Sequence, residues 1–275
     1  LTPLGDVPTF SDVPSENVPG SVPLDRRARK REARRDHLLD LAAEIVDAHG
    51  VDGLTMAALG EAADYATASL YTYFGSRSAL LAALQERALV VLGQVAEAAL
   101  DRWDAELAAA GADVDEPTAA IARCCAFSDL FLAAPVRHRR EFRLQQQLLV
   151  TPGVEDAADA GAVVPIAMHV LGVPQRLLAG AAAVGALRSD DRLADPLGTP
   201  LDASLGRTFA WVLALNGALL ADGLVTGLPT TGAALGTQLT DALLVGWGAP
   251  PELVDRGRGL CAPWLAATDP REETR

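Results

Sequence analysis

The feature that most narrows the possible folds is a run of local start and stop signals between Thr55 and Ser76. Thr55 can cap a short helix from Met56 to Ala63, although Ala58 stands where the glutamate of a capping box would be. Asp64, Tyr65 and Ala66 then make a three-residue turn into a helix predicted over Thr67 to Phe74. Gly75 ends that helix, and Ser76 caps another that starts at Arg77 and runs on through Leu80, Leu81, Leu84 and Leu89. Ahead of these, a helix from about Asp25 to His49 is expected to bury Leu38, Leu41, Ala42, Ile45 and Val46, with Gly50 as its left-handed stop. Two short helices joined by such a turn form a helix-turn-helix, the arrangement that sets one helix in a DNA major groove.

Charge points the same way once it is read locally. The net charge is −13, yet seven of the ten residues from Arg26 to Arg35 are basic and only Glu32 opposes them. Cations at a helix start oppose the helix dipole, so an anionic partner near Arg34 and Arg35 would explain their place. On the helix after the turn, a 100° step aims Leu70 and Phe74 inward and Ala68, Ser69 and Thr72 outward, flanked by Tyr71 and Tyr73. Small outward residues let a helix sit deep in a groove, and tyrosine hydroxyls at its margins reach phosphates. Arg77, beside the free N–H groups of the next helix, is expected to bind phosphate too. Between 67 and 73 there is no Arg, Lys, Asn or Gln for a bidentate base contact. Direct readout is therefore expected to be modest, through thymine-methyl contacts from Ala68 or Thr72 and through DNA shape.

The remaining chain reads as helical blocks broken by Pro and Gly, and only 5% of its residues are aromatic, against a sandwich or barrel. The expected fold is all-α. A Pro-rich disordered tail spans 1–24, a helix-turn-helix domain 25–80, a larger α-helical domain 81–265 and a flexible tail 266–275. Pro117, Pro174 and Pro251 are placed at helix starts, and 189–200 is read as a loop. The strongest uncharged apolar run, Thr208 to Ala221, is too short to cross a bilayer, so no membrane partner is expected. No signal peptide is visible, and Cys124, Cys125 and Cys261 fit a reducing cytoplasm. Neither a phosphate loop, a nucleophile elbow nor a metal-spaced Cys/His set appears, so no catalytic residue, metal or cofactor is predicted.

The stretch LTMAALGEAADYATASLYTYFGSRSALLAAL, Leu54 to Leu84, resembles the TetR family of transcriptional regulators. Leu70, Tyr71, Tyr73, Phe74, Ser76 and Arg77 occupy the places of its Leu-Tyr-x-His/Tyr-Phe run and the Ser-Lys/Arg that follows. The chain departs from that pattern at Asp64, often glycine in the family, and at Ala66, often serine. The resemblance implies that Thr55, Tyr71, Tyr73 and Arg77 touch phosphates of a double-stranded operator, and that Thr67 through Thr72 face its bases. It also implies a homodimer built on two C-terminal helices, and a repressor that a small-molecule effector releases from a palindromic operator. The alternative is a ligand-binding or interaction protein that has lost specific DNA binding.

Two helical stripes fit the dimer expectation. Over 201–222 the small residues Ala210, Ala214, Gly217 and Ala221 share a face, beside a stripe of Phe209, Val212, Leu213, Asn216 and Leu220. Over 233–247 Leu239, Leu243 and Trp247 do likewise. For the effector, Phe127, Phe131, Phe142, Gln146, Met168, His169 and Trp211 are candidate pocket residues, apolar with a few polar groups. A second basic cluster, Arg137 to Arg143, reads as a solvated helix face.

Overall fold

The computed structural model describes residues 26–150, 157–189, 203–224 and 230–266. Within them run ten α-helices and no strand, so the chain is all-α. The predicted tail at 1–24, nearly all of the loop at 189–200 and the last residues, 267–275, lie outside the described residues.

The first four helices are α1 (Arg26–Gly53), α2 (Met56–Ala63), α3 (Thr67–Leu70) and α4 (Arg77–Ala110). Their apolar faces close on one another: Leu38, Ala42 and Val46 of α1 meet Leu59, Leu70, Phe74, Leu80 and Leu84 in one core. Leu41 and Ile45 lie at its edge rather than inside it. Gly50 takes the left-handed φ of 74° expected of a stop, but one more helical turn follows before α1 ends.

Helix α4 is 34 residues long and does not stop at the boundary of this core. Its second half carries Ala96, Ala99 and Trp103 into a larger core. There it meets α5 (Glu116–Arg137), α7 (Ala157–Ala183), α8 (Ala203–Leu224), α9 (Gly232–Gly246) and α10 (Pro251–Ala266). The Trp103 and Trp264 rings stack at 6.2 Å. Gly257 of α10 lies so near α5 that a Cβ there would come within 2.7 Å of Ile121 Cγ2. The short α6 (Arg139–Val150) follows α5 after a break at His138.

Two expectations need correction. Pro117 and Pro251 do sit in first turns, but Pro174 lies inside α7, as does Pro165. A helix can run through a proline when packing offsets the lost hydrogen bond; α7 is held near Pro174 by Val173, Leu177, Leu178 and Ala181 in the large core and near Pro165 by Val163 against Ala82 and Leu89. Nor is 208–221 the strongest apolar run. Three segments, within Arg77–Asp113, Glu116–Arg137 and Val163–Ala183, are long and apolar enough by length and composition to cross a membrane. An unbroken uncharged run is a stricter demand than a mean over a window, which is why the first two, interrupted by charges, were passed over. In the first two segments, half or more of the apolar window is buried inside the protein.

Candidate nucleic-acid interface and ligand cavity

The helix-turn-helix is set by local hydrogen bonds. Thr55 Oγ1 accepts from the Ala58 N–H at 3.0 Å and Ser76 Oγ from the Ala79 N–H at 2.9 Å, so each helix start is capped as its sequence predicts. Asp64 ends α2 with a left-handed backbone, φ 53° and ψ 45°. The Tyr65 N–H donates to the Gly60 carbonyl at 2.8 Å. A Cβ at Gly60 would lie 2.9 Å from the Tyr65 carbonyl oxygen, so the turn folds back onto a residue that has to stay small. Ala66 gives α3 no side-chain cap. The predicted helix 67–74 is correspondingly shorter: only Thr67–Leu70 is α-helical, and a turn continues it, with Tyr73 and Phe74 both donating to the Leu70 carbonyl.

Leu70 and Phe74 are buried, while Thr67, Ala68, Ser69, Tyr71 and Thr72 are exposed, Tyr71 at 52%. Tyr73 is half-buried against the core. Thr55 is exposed beside them. The basic start of α1 leans over this motif. Arg31 Nη2 donates to the Thr72 carbonyl at 2.8 Å, and Arg34 and Arg35 lie over the rings of Tyr65 and Phe74 at 5.3 and 5.5 Å. Cation–π attraction of this kind contributes about 0.5–1 kcal/mol at exposed sites. Arg77 has a use that its position at a helix start did not reveal. Its Nε and Nη2 donate to the carbonyls of Leu54 and Val51 at 2.6 and 2.7 Å, tying α4 to the chain end of α1.

The body holds a cavity of about 290 Å³ between α4, α5, α6, α7 and α8. Phe127, Phe131 and Phe142 line it, with Leu89, Val170 and Leu213 among the other apolar residues. Its polar lining residues are Gln85, His138, Gln145 and Asn216. Of the candidates from sequence, Gln146 is half-buried but does not reach the cavity, and its neighbour Gln145 does. Met168 is exposed, and His169 borders a separate depression with Leu89, Gly93 and Glu97. Trp211 is fully buried in the core, where its Nε1 donates to Thr240 Oγ1 at 2.9 Å and its ring packs on Phe127. The Gln145 Oε1 is buried without a hydrogen-bond partner.

Helix α6 touches both the cavity and the helix-turn-helix. Phe142 and Gln145 line the cavity, and Leu144, between them, is buried in the N-terminal core. Arg140 is not a solvated charge: it donates to the Asp40 carbonyl at 3.2 Å and pairs with Asp47 at 3.4 Å and Glu44 at 4.0 Å, all on α1.

Helix α8 exposes Phe209, Ala210, Leu213, Gly217 and Leu220, while Ala214 and Ala221 are half-buried. Next to it, α9 exposes Val245, with Leu239, Leu243 and Trp247 half-buried. Phe209, Leu213 and Asn216 belong to the cavity wall as well.

Residues 38–84 match the sequence profile of bacterial regulatory proteins of the tetR family. A comparison with curated protein sequences finds no match. Among solved structures the chain is similar to RolR in complex with resorcinol, at a TM-score of 0.52 and 21% identity, covering 84% of this chain and 96% of that one. It is similar also to the transcriptional regulator FadR from Bacillus subtilis in complex with stearoyl-CoA, at 0.51 and 13%, covering 77% and 98%. The fatty acid degradation regulator FadR from Bacillus halodurans gives 0.52 and 14%, covering 79% and 97%. Those likenesses show a shared fold across nearly the whole of each relative. Over residues 38–84, then, the chain carries the N-terminal domain of the tetR family of bacterial regulatory proteins.

Proposed function

We propose that the chain is a ligand-responsive transcriptional repressor: a cytoplasmic homodimer that holds a palindromic operator and releases it when a small effector fills the body cavity. The reading needs neither cofactor nor membrane. The observation that carries it is the outer side of α3 and of the turn after it, where Thr67, Ala68, Ser69, Tyr71 and Thr72 are exposed while Leu70 and Phe74 anchor the segment from behind. The arginines over Tyr65, Thr72 and Phe74 border that side with positive charge. Solved structures of the same fold hold small molecules, RolR resorcinol and the transcriptional regulator FadR from Bacillus subtilis stearoyl-CoA.

Binding sites selected from random duplexes, followed by titration of the selected duplex against salt, test the reading. Phosphate contacts give a slope near −0.9 per neutralised phosphate. Tyr71→Phe should weaken all duplexes alike. Thr72→Ser keeps the hydroxyl that donates to the Ser69 carbonyl at 2.7 Å and removes only a methyl, so it should change preference at a thymine position. A salt-independent signal, or no selected site, would overturn the reading.

A further inference from the structure

We propose that the cavity takes an uncharged, mainly apolar molecule with one hydroxyl or amide N–H, and that this group donates its hydrogen bond to Gln145 Oε1. The inference rests on the cavity being the effector site. Sixteen of its twenty described lining residues are neither charged nor side-chain amide nor histidine, and none is Asp, Glu, Lys or Arg. A carboxylate or ammonium placed there would lose its water with no described counter-charge to replace it, so charged ligands are excluded by desolvation. Size agrees: about 290 Å³ holds on the order of ten non-hydrogen atoms, at the ~30 Å³ that a water occupies in the liquid.

The polar requirement comes from one orphaned atom. Gln145 lines the cavity, and its carbonyl oxygen is buried with nothing donating to it. A buried acceptor left unmet is unfavourable, and whatever meets it gains accordingly. The terminal torsion of glutamine is soft, so the amide can turn toward a ligand at little cost. Asn216 already spends one amide N–H on the Val212 carbonyl at 2.9 Å. The lining atom left without a partner is an acceptor, so the donor belongs to the ligand.

Four matched probes of suitable size test this: 2-naphthol, naphthalene, 2-naphthoate and 2-naphthylmethylammonium, each titrated into the full-length protein by calorimetry. The expected result is that 2-naphthol binds about tenfold more tightly than naphthalene, and that neither ion binds as well as naphthalene. Gln145→Met, which keeps volume and removes the acceptor, should bring 2-naphthol down to naphthalene, with circular dichroism confirming the fold. Tightest binding by either ion, a preference for 2-naphthol that survives Gln145→Met, or no binding by any probe would overturn the proposal. Adding operator DNA separates the two claims: if 2-naphthol binds through Gln145 but leaves DNA affinity unchanged, the ligand class stands and the effector reading falls.

Discussion

Arg77 shows how one side chain can hold a motif together. Its two charge-assisted hydrogen bonds reach carbonyls at the end of α1 that no helical N–H satisfies. Removing it strands the Leu54 carbonyl, whereas the Val51 carbonyl keeps the Leu54 N–H at 3.1 Å. Arg77→Ala should therefore lower stability by about 1.5–3 kcal/mol in urea unfolding, and a variant that lost DNA affinity without losing stability would contradict this role. Gly60 is constrained by space: a methyl group 2.9 Å from the Tyr65 carbonyl pushes on main chain that cannot swing away. Gly60→Ala should lower the melting temperature even though alanine is the better helix former. Cys124 is completely buried, and that burial pushes its thiol up to about 12 from the usual 9.0. The sign is fixed by linkage. Below pH 9 both folded and unfolded thiols are protonated and nothing changes. Between 9 and about 12 only the unfolded thiol ionises, so stability falls by about 1.4 kcal/mol per pH unit. Cys124→Ala should remove that contribution from alkaline unfolding curves and leave the one from Cys125, whose thiol the hydrogen bond with Cys261 and burial also push up.

At the scale of elements, α6 is what joins the cavity to the reading head. Its exposed ion pairs add little stability, of order 0–1 kcal/mol, so their effect is better sought in coupling. Arg140→Met should leave operator affinity and 2-naphthol affinity nearly unchanged when each is measured alone. It should reduce the factor by which one weakens the other, a factor that linkage makes equal in both directions. An unchanged factor in both titrations would remove Arg140 from the coupling path. Nothing in the sequence announces this link, because Arg140 and Asp40 are a hundred residues apart. What was legible is local. The caps at Thr55 and Ser76 and the left-handed Asp64 follow from hydrogen bonds that span a few residues, and the structure has them where the residues demand. Pro174 was misplaced, and Gln146 was chosen where its neighbour Gln145 lines the cavity, for the opposite reason. A proline's tolerance in α7 and the choice between two adjacent glutamines are decided by what packs alongside, and one residue on a helix turns a side chain by 100°. Phe127, Phe131 and Phe142 were legible as pocket candidates because large aromatic residues in a chain poor in them have few places to go.

Across the whole molecule, α4 runs unbroken from the N-terminal core into the body, so the two halves share one rigid rod. It links the cavity wall, where Gln85 and Leu89 sit, to Leu80 and Leu84 in the N-terminal core. Palindromic recognition needs in addition a second head at a fixed distance, and the exposed apolar faces of α8 and α9 are the surface proposed for that pairing. Gly217 tests this cleanly. Gly217 is exposed and a Cβ built there meets nothing within 4 Å, so Gly217→Glu is expected to leave the single chain folded. Were the face buried against a second copy, the same glutamate would be forced into an apolar contact with no partner. The expected outcome is a halved mass in sedimentation with unchanged circular dichroism. Binding to the palindrome should weaken, because the second half-site is no longer reached intramolecularly. Binding to a single half-site should stay as it was. A dimer that survives Gly217→Glu would move the interface elsewhere on the body while leaving the reading head as described.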